Sequence, residues 1–168
     1  MGPYRVIVWG TGFVGANVLR NLITHPAYDV VGVIVNDPEK DGRDIGELTG
    51  LPRVGLDASR DAADVLTREA HALCYFGPSA LHMETNLANI TAALRAGKNV
   101  VETTIGALQN PARAPEALRG AIEAACTDGG ASYFSGGIDP GFARCGCTQC
   151  TSTEASADAC SEGYHLCT

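Results

Sequence analysis

Three glycines close to the start of the chain have the spacing of a phosphate-binding turn. Gly10, Gly12 and Gly15 form a Gly-x-Gly-x-x-Gly pattern directly after a short apolar run. In this pattern the first glycine permits a tight turn, the second lets a pyrophosphate approach the backbone, and the third lets the next helix lie close to the sheet. The predicted phosphate donors are the backbone N–H groups of Thr11, Gly12, Phe13 and Val14. The pattern therefore predicts dinucleotide binding.

Polar residues after the second predicted strand bear on the choice of cofactor. Asp37 lies 22 residues past Gly15, where an acid binds the ribose 2′-hydroxyl of NAD, and Asn36 offers a second hydrogen-bonding group. Lys40 and Arg43 follow closely and could instead hold the 2′-phosphate of NADP. An ordinary solvated turn also accounts for this loop. The acid favours NAD, and both NAD and NADP stay open.

Two later strand ends complete the predicted cofactor site. Phe76, Gly77 and Pro78 would border the nicotinamide ribose, because glycine and proline keep the backbone clear of a ligand. An ordinary strand-ending turn explains the same residues equally well. Thr103 ends the next strand on the same edge of the sheet and is also predicted to contact the cofactor. Glu102, just before it, is expected to be a solvated side chain at the rim.

No residue is assigned a catalytic or metal-binding role. The chain has four histidines, and none is spaced to pair with an acid or a nucleophile: His25, His71, His82 and His165. Cys74 and Cys126 are expected to be small buried apolar residues. The Gly-x-Ser-x-Gly pattern of hydrolases and the Gly-x-x-x-x-Gly-Lys-Ser/Thr pattern of P-loop proteins are both absent from the sequence.

Alternating strand and helix patterns must position these residues. The predicted strands are 5–9, 28–35, 72–76, 99–103 and 131–135. The predicted helices are 13–24, 43–49, 80–96 and 114–126, with a further helix from Ser59 or Asp61 to Arg68. Such alternation specifies right-handed βαβ units and an open parallel sheet. We therefore predict an α/β, doubly wound, Rossmann-type dinucleotide-binding domain over residues 1–143, with the nucleotide at the carboxyl ends of the strands.

Residues 144–168 differ in composition from the rest of the chain. They hold five of the seven cysteines and almost no large apolar residues, so they cannot bury enough surface to fold. We predict that this Cys/Ser/Thr-rich tail is disordered. Zinc binding is left as an alternative, although only one of the two knuckles of a typical structural site is present; its ligands would come from Cys145, Cys147 and Cys150, with Cys160, His165 and Cys167. A frameshift or truncation after about Ala143 would explain the change.

Charge and length limit the functions that the chain can have. A net charge of −7 argues against a nucleic-acid partner, because no basic stripe is present to neutralise phosphates. No apolar run of about 18 residues and no signal-peptide pattern occurs, which argues against a membrane and favours a cytoplasmic protein. The 168 residues suit one domain with a short appendage.

Four segments resemble one family of reductases. They are the segments 9–15, 37–47, 94–101 and 137–142. They make the chain similar to the N-terminal domain of the dihydrodipicolinate reductase-like proteins, in particular to the branch with 2,4-diaminopentanoate dehydrogenase and related amine dehydrogenases. The resemblance implies an NAD(P)-dependent oxidoreductase that transfers hydride to or from a C=N or amine-bearing small molecule.

The resemblance also implies a second domain for which we find no counterpart in this sequence. In such proteins an α+β domain follows a segment similar to 137–142, holds the substrate and builds the oligomer, whereas here the cysteine-rich tail follows. A substrate site and an oligomer are thus expectations for full-length members of the family. The alternative function is a truncated, catalytically inactive nucleotide-binding module or redox sensor.

Overall fold

The computed structural model describes residues 2–78 and 80–136, which fall into two compact units that divide after Pro78. The predicted disordered tail, its cysteines, His165 and the segment 137–142 lie outside the described residues. Each unit consists of parallel strands connected through helices, and each is described by itself below.

Three parallel strands form the sheet of the first unit. They are β1 (Tyr4–Trp9), β2 (Tyr28–Ile34) and β3 (Ala72–Tyr75). The central strand is β1, which pairs with β2 on one side and β3 on the other, so that Trp9 lies opposite both Ile34 and Tyr75. This register brings the carboxyl ends of the three strands to one edge. The predicted strand positions are confirmed to within one residue at each end.

Three helices and one short 3₁₀ turn connect these strands. They are α1 (Phe13–Thr24), the 3₁₀ turn Pro38–Lys40, α2 (Ile45–Thr49) and α3 (Ala62–Thr67). The bounds of α1 match the prediction, because His25-Pro26 stops the helix. Of the two predicted caps for α3, Asp61 is the one observed, and its Oδ1 accepts a hydrogen bond of 3.0 Å from the Asp64 N–H.

The core of the first unit forms where α1 packs against β1 and β2. Its buried residues are Val6, Val8, Leu19, Leu22, Val33, Val35, Ile45 and Ala58. In α1 the buried positions Gly15, Leu19 and Leu22 are four and three residues apart, as expected for one face of a helix. Phe13 and Val14 lie off this face and are 88% and 52% exposed. Their apolar side chains therefore contribute little to the core.

A buried carboxylate connects the start of α2 to the loop that follows this helix. The Asp44 side chain accepts backbone hydrogen bonds from Gly46 (2.8 Å), Val54 (3.0 Å) and Gly55 (2.7 Å). The Val54 hydrogen bond, those of the two glycines and the nearby Arg53 hold the pKa of this carboxyl below its usual range, although desolvation opposes them. Asp44 thus connects the start of α2 to residues 54 and 55 of the loop that follows the helix.

The second unit pairs β4 (Asn99–Glu102) with β5 (Tyr133–Ser135), again in parallel. Its long helices are α4 (Met83–Arg95) and α5 (Glu116–Gly129). Three 3₁₀ turns accompany them, at Ala80–His82, Gly106–Gln109 and Pro111–Arg113. The start of the predicted helix 80–96 is thus a 3₁₀ turn. Helix α5 ends one turn later than predicted. The sequence did not reveal this turn because its residues are polar and show no apolar periodicity.

Glu102 is buried, so the expectation of a solvated rim residue is wrong. Its side chain is fully shielded, and one carboxylate oxygen, Oε1, accepts a hydrogen bond of 2.6 Å from the Tyr133 hydroxyl. The other oxygen, Oε2, accepts from the backbone N–H groups of Thr104 and Ile105. Burial and the Glu102 charge raise the pKa of Tyr133 above its ordinary value. The carboxylate therefore joins the end of β4 to β5 and fixes the loop 103–105.

The described helices are all short. The longest, α5, has 14 residues, and a helix needs about 20 apolar residues to cross a bilayer. Within residues 2–78 and 80–136, no helix has the length and apolar character of a membrane span.

Candidate functional site

The turn between β1 and α1 depends on glycine at its first position. Gly10 has a φ of +98°, a backbone conformation that side chains rarely adopt. A Cβ atom at this position would also collide with the carbonyl oxygen of Phe76, just past β3. Gly10 therefore permits both the turn and the close approach of two strand ends, as the sequence predicts.

Gly15 and Gly12 make different contacts, although they belong to the same pattern. A Cβ on Gly15 would collide with the carbonyl oxygen of Gly10, so this glycine lets α1 pack onto the turn. Among the described residues, a Cβ on Gly12 would meet no atom within 4 Å beyond its two neighbours in the chain. The space above Gly12 is thus open to a ligand, whereas the space at Gly10 and Gly15 is filled by backbone.

The start of α1 faces this open space with unpaired donors. Gly12 is the N-cap residue, and no side chain of the described residues caps the helix there. The first N–H groups of a helix have no partner within the helix, and the helix dipole adds a partial positive charge. No acidic residue occurs in the first turn of α1 to offset that charge. An anionic group such as a pyrophosphate is therefore favoured at this position.

A cavity of about 230 Å³ lies beside the glycine turn, within the first unit. Its lining residues come from the ends of β1, β2 and β3, and all nine are among the predicted cofactor residues: Gly10, Thr11, Gly12, Asn36, Asp37, Lys40, Phe76, Gly77 and Pro78. The carboxyl ends of neighbouring parallel strands are where ligands bind in open α/β sheets. We call this cavity the turn pocket.

Two charged side chains of the turn pocket are held by the backbone. The half-buried Lys40 donates a hydrogen bond of 2.9 Å from Nζ to the carbonyl oxygen of Thr11. Asp37 accepts a hydrogen bond of 3.0 Å from the Glu39 N–H through Oδ1 and so caps the 3₁₀ turn that contains Lys40. The loop after β2 is thereby connected to the glycine turn after β1.

The remaining predicted site residues lie outside the turn pocket. Gly15 packs behind it, while Phe13 and Val14 project from the start of α1. The guanidinium of Arg43 faces Glu47, with Nε 3.8 Å from Oε2. Thr103 is an exposed residue of the second unit, directly after β4. Their parts in cofactor binding stay predictions.

The lining adds no residue that the sequence analysis missed, but the connection between Lys40 and Thr11 was not predicted. These residues are 29 positions apart, and no local pattern relates a lysine after one strand to a carbonyl group after another. The signal available in the sequence was only that Lys40 follows Asp37 within the same loop.

The described histidines and cysteines provide no nucleophile beside the turn pocket. Nδ1 of His71 accepts a hydrogen bond from the backbone of Arg5, and Nδ1 of His25 accepts one from that of Ala27. Burial raises the pKa of Cys74 to about 11, so its thiol is protonated at neutral pH. In the part of the chain that the structure describes, no three metal-ligating side chains are grouped together.

Comparison with known proteins connects this geometry to oxidoreductases. A family model described as "Dihydrodipicolinate reductase, N-terminus" matches residues 4–122. An amine dehydrogenase from Streptomyces virginiae is 40% identical over 137 residues, which are 81% of this chain and 38% of that protein. The chain therefore spans well under half the length of this curated relative.

Solved structures share the fold. The amine dehydrogenase from Mycobacterium smegmatis matches with a TM-score of 0.68 and 24% identity, over 77% of this chain and 38% of that chain. GenD2 from gentamicin A biosynthesis, solved in complex with NAD, matches with a TM-score of 0.56 and 22% identity, over 81% of this chain and 35% of that chain. Other solved structures of this fold contain NADP. These likenesses confirm the predicted Rossmann-type α/β fold.

Proposed function

Because the chain belongs to the dihydrodipicolinate reductase family, we propose that its turn pocket binds NAD or NADP as part of an oxidoreductase. The finer proposal is that this oxidoreductase transfers hydride to or from a C=N or amine-bearing small molecule. The observation that carries the proposal is the glycine turn, which leaves open space and unpaired N–H donors at Gly12 beside a pocket of strand ends.

The residues of the turn pocket suit the parts of a dinucleotide. Backbone N–H groups from Thr11 to Val14 would bind the pyrophosphate at the start of α1. Asp37, with Asn36 beside it, would hold the adenosine ribose. Phe76, Gly77 and Pro78 would border the nicotinamide ribose. When bound, the nicotinamide supplies or accepts the hydride, and the chain supplies binding and orientation.

The proposed substrate class depends on the relatives. The Streptomyces virginiae protein is an amine dehydrogenase, and 40% identity over most of this chain supports a related chemistry. The chain corresponds to 38% of that protein. A nicotinamide dinucleotide and a small amine or imine are therefore the proposed partners.

Calorimetric titration of the chain with NADH and NADPH tests cofactor binding directly. We expect binding of at least one dinucleotide, and loss of binding in Gly12→Asp, because a carboxylate would enter the open space and repel the pyrophosphate. Since a Cβ at Gly12 meets no other atom of the described residues within 4 Å, this variant should keep the melting temperature of the wild type. A wild-type chain that binds neither dinucleotide would contradict the proposal.

Turnover is measured separately, by following the absorbance of the reduced nicotinamide with amine and carbonyl–ammonia substrate pairs. Oxidation or reduction of the cofactor by such pairs is the result expected of a hydride-transferring enzyme. Binding without turnover would instead support the alternative of a nucleotide-binding module without catalysis.

A further inference from the structure

The lining of the turn pocket contains one cationic and one anionic side chain, Lys40 and Asp37. A carboxylate after the second strand favours the unphosphorylated ribose of NAD, whereas a cation there accommodates the 2′-phosphate of NADP. The sequence leaves this choice open, because Asp37, Lys40 and Arg43 all follow β2 closely. The positions of these three side chains distinguish their roles.

Lys40 is held inside the pocket. Its Nζ is 2.9 Å from the Thr11 carbonyl oxygen, and this bond uses one of the three N–H groups of the ammonium. The side chain is half-buried and so has lost much of the rotamer freedom of a surface lysine. Its positive charge is therefore already fixed beside the glycine turn before any ligand binds.

Asp37 and Arg43 are engaged elsewhere. Asp37 caps its own turn, with Oδ1 accepting from the Glu39 N–H at 3.0 Å. One oxygen of the Asp37 carboxylate is therefore already engaged in a hydrogen bond with the backbone. Arg43 is half-exposed, lies outside the pocket lining and has Nε 3.8 Å from the Glu47 carboxylate. Of the two cations that follow Asp37, Lys40 is thus the one available to a ligand in the pocket.

We infer that Lys40 is the residue that admits NADP, through contact of its ammonium with the 2′-phosphate of the adenosine ribose. This inference rests on the proposed function, since it assumes that the turn pocket binds a dinucleotide. Asp37 opposes Lys40 by favouring the free 2′-hydroxyl, so the balance between the two side chains sets the ratio of the NADPH and NADH affinities. Arg43 has no part in this choice.

The test is calorimetric titration of wild-type chain and Lys40→Met with four ligands: NADPH, NADH, 2′,5′-ADP and 5′-AMP. The two nucleotides isolate the 2′-phosphate, since they differ only in that group. We expect Lys40→Met to weaken NADPH and 2′,5′-ADP by about tenfold or more, as for a lost hydrogen bond to a charged group. Binding of NADH and 5′-AMP should change by less than about threefold.

Four further variants define the roles of the side chains more closely. Arg20→Gln is the matched control, because Arg20 also donates to a backbone carbonyl in the first unit, that of Thr49 at 3.3 Å, outside the pocket lining. It removes the same charge and should leave the NADPH to NADH ratio unchanged. Arg43→Gln should also leave the ratio unchanged. Asp37→Asn should raise NADPH affinity relative to NADH, and Lys40→Arg should retain NADPH binding.

The outcomes separate this inference from the proposed function. Equal losses of NADPH and NADH in Lys40→Met would assign Lys40 to the pyrophosphate or to the shape of the loop and would overturn the inference. A wild-type chain that binds NADH but not NADPH, or an Arg43→Gln variant with the larger loss of NADPH, would also overturn it. All three results leave dinucleotide binding intact. Failure of the wild-type chain to bind any of the four ligands contradicts the proposed function itself.

Discussion

The loops that follow β1 and β4 differ in whether their backbone N–H groups have hydrogen-bond partners. After β1, the helix start at Gly12 lacks a side-chain cap among the described residues, and its surroundings are open. After β4, the Glu102 carboxylate accepts from two successive backbone N–H groups and from the Tyr133 hydroxyl. Unpaired donors in open space are suited to an anionic ligand, whereas paired donors around a buried charge fix a loop.

The two loops also differ in how they tolerate substitution. In the turn after β1, backbone packs directly against backbone. A methyl group added at Gly10 or Gly15 would therefore collide with a backbone carbonyl oxygen. The loop after β4 is built from side-chain hydrogen bonds, so the removal of one oxygen leaves a partner unsatisfied. Added volume should damage the first loop, and lost polar atoms should damage the second.

The largest effect is expected for Gly10→Ala, which tests the packing of the turn. The methyl group would be strained by the φ of +98° and would collide with the Phe76 backbone. We expect the free energy of unfolding to fall by about 3 kcal/mol or more, as measured by urea denaturation.

Gly42→Ala is the matched control, because Gly42 has a φ of +72° but a Cβ there meets no other atom of the described part of the chain within 4 Å. It should cost only the backbone strain, about 1 kcal/mol. Equal losses in the two variants would show that the collision with the Phe76 backbone does not contribute to the loss of stability. The proposed sensitivity of the turn to added volume would then be wrong.

The next largest effect is expected for Tyr133→Phe in the second unit. This change removes the hydroxyl that donates at 2.6 Å to the buried Glu102 carboxylate. The loss of this partner at Oε1 of the buried carboxylate should lower the free energy of unfolding by about 1–3 kcal/mol, measured by chemical denaturation. Tyr28→Phe, at a tyrosine that is 41% exposed, should cost less than about 0.5 kcal/mol. If Tyr133→Phe were as stable as wild type, the loop after β4 would not depend on this pair.

In a third loop, the one after α2, a carboxylate again accepts hydrogen bonds from the backbone, and this carboxylate belongs to Asp44. Its folded-state pKa is lowered, first by the Val54 hydrogen bond, so it stabilises the fold above its unfolded pKa, and this stabilisation is lost as the pH falls through the folded value. We expect Asp44→Asn to have a lower urea midpoint than wild type at pH 7, and the difference should shrink below about pH 4. A difference that is constant from pH 7 to pH 3 would contradict this.

The smallest effect is expected for Phe13→Ala, at the apolar residue directly after Gly12. The Phe13 side chain is 88% exposed, so its truncation should change the free energy of unfolding by less than about 0.5 kcal/mol. Leu19→Ala in the same helix, at a fully buried residue, should cost about 2–5 kcal/mol. A similar loss in both variants would mean that Phe13 packs against the chain.

Much of the turn pocket could be predicted because its parts are local in sequence. Glycines at fixed spacing after a strand, an acid after the next strand and a Gly-Pro after a third are each visible within a few residues. Parallel strands then bring their carboxyl ends to one edge. Glu102 was misplaced because its partner Tyr133 is 31 positions away, and a lone glutamate at a strand end reads as a solvated charge.

The sequence by itself determined the α/β alternation, the glycine turn and the residues that gather at the ends of β1, β2 and β3. These follow from local conformational preference and from the apolar period, which depend on neighbours along the chain. Only the tertiary structure decided that Lys40 rather than Arg43 lies in the pocket, and that Glu102 is a buried acceptor. Both facts depend on hydrogen bonds between residues about 30 positions apart, and no local pattern encodes such contacts.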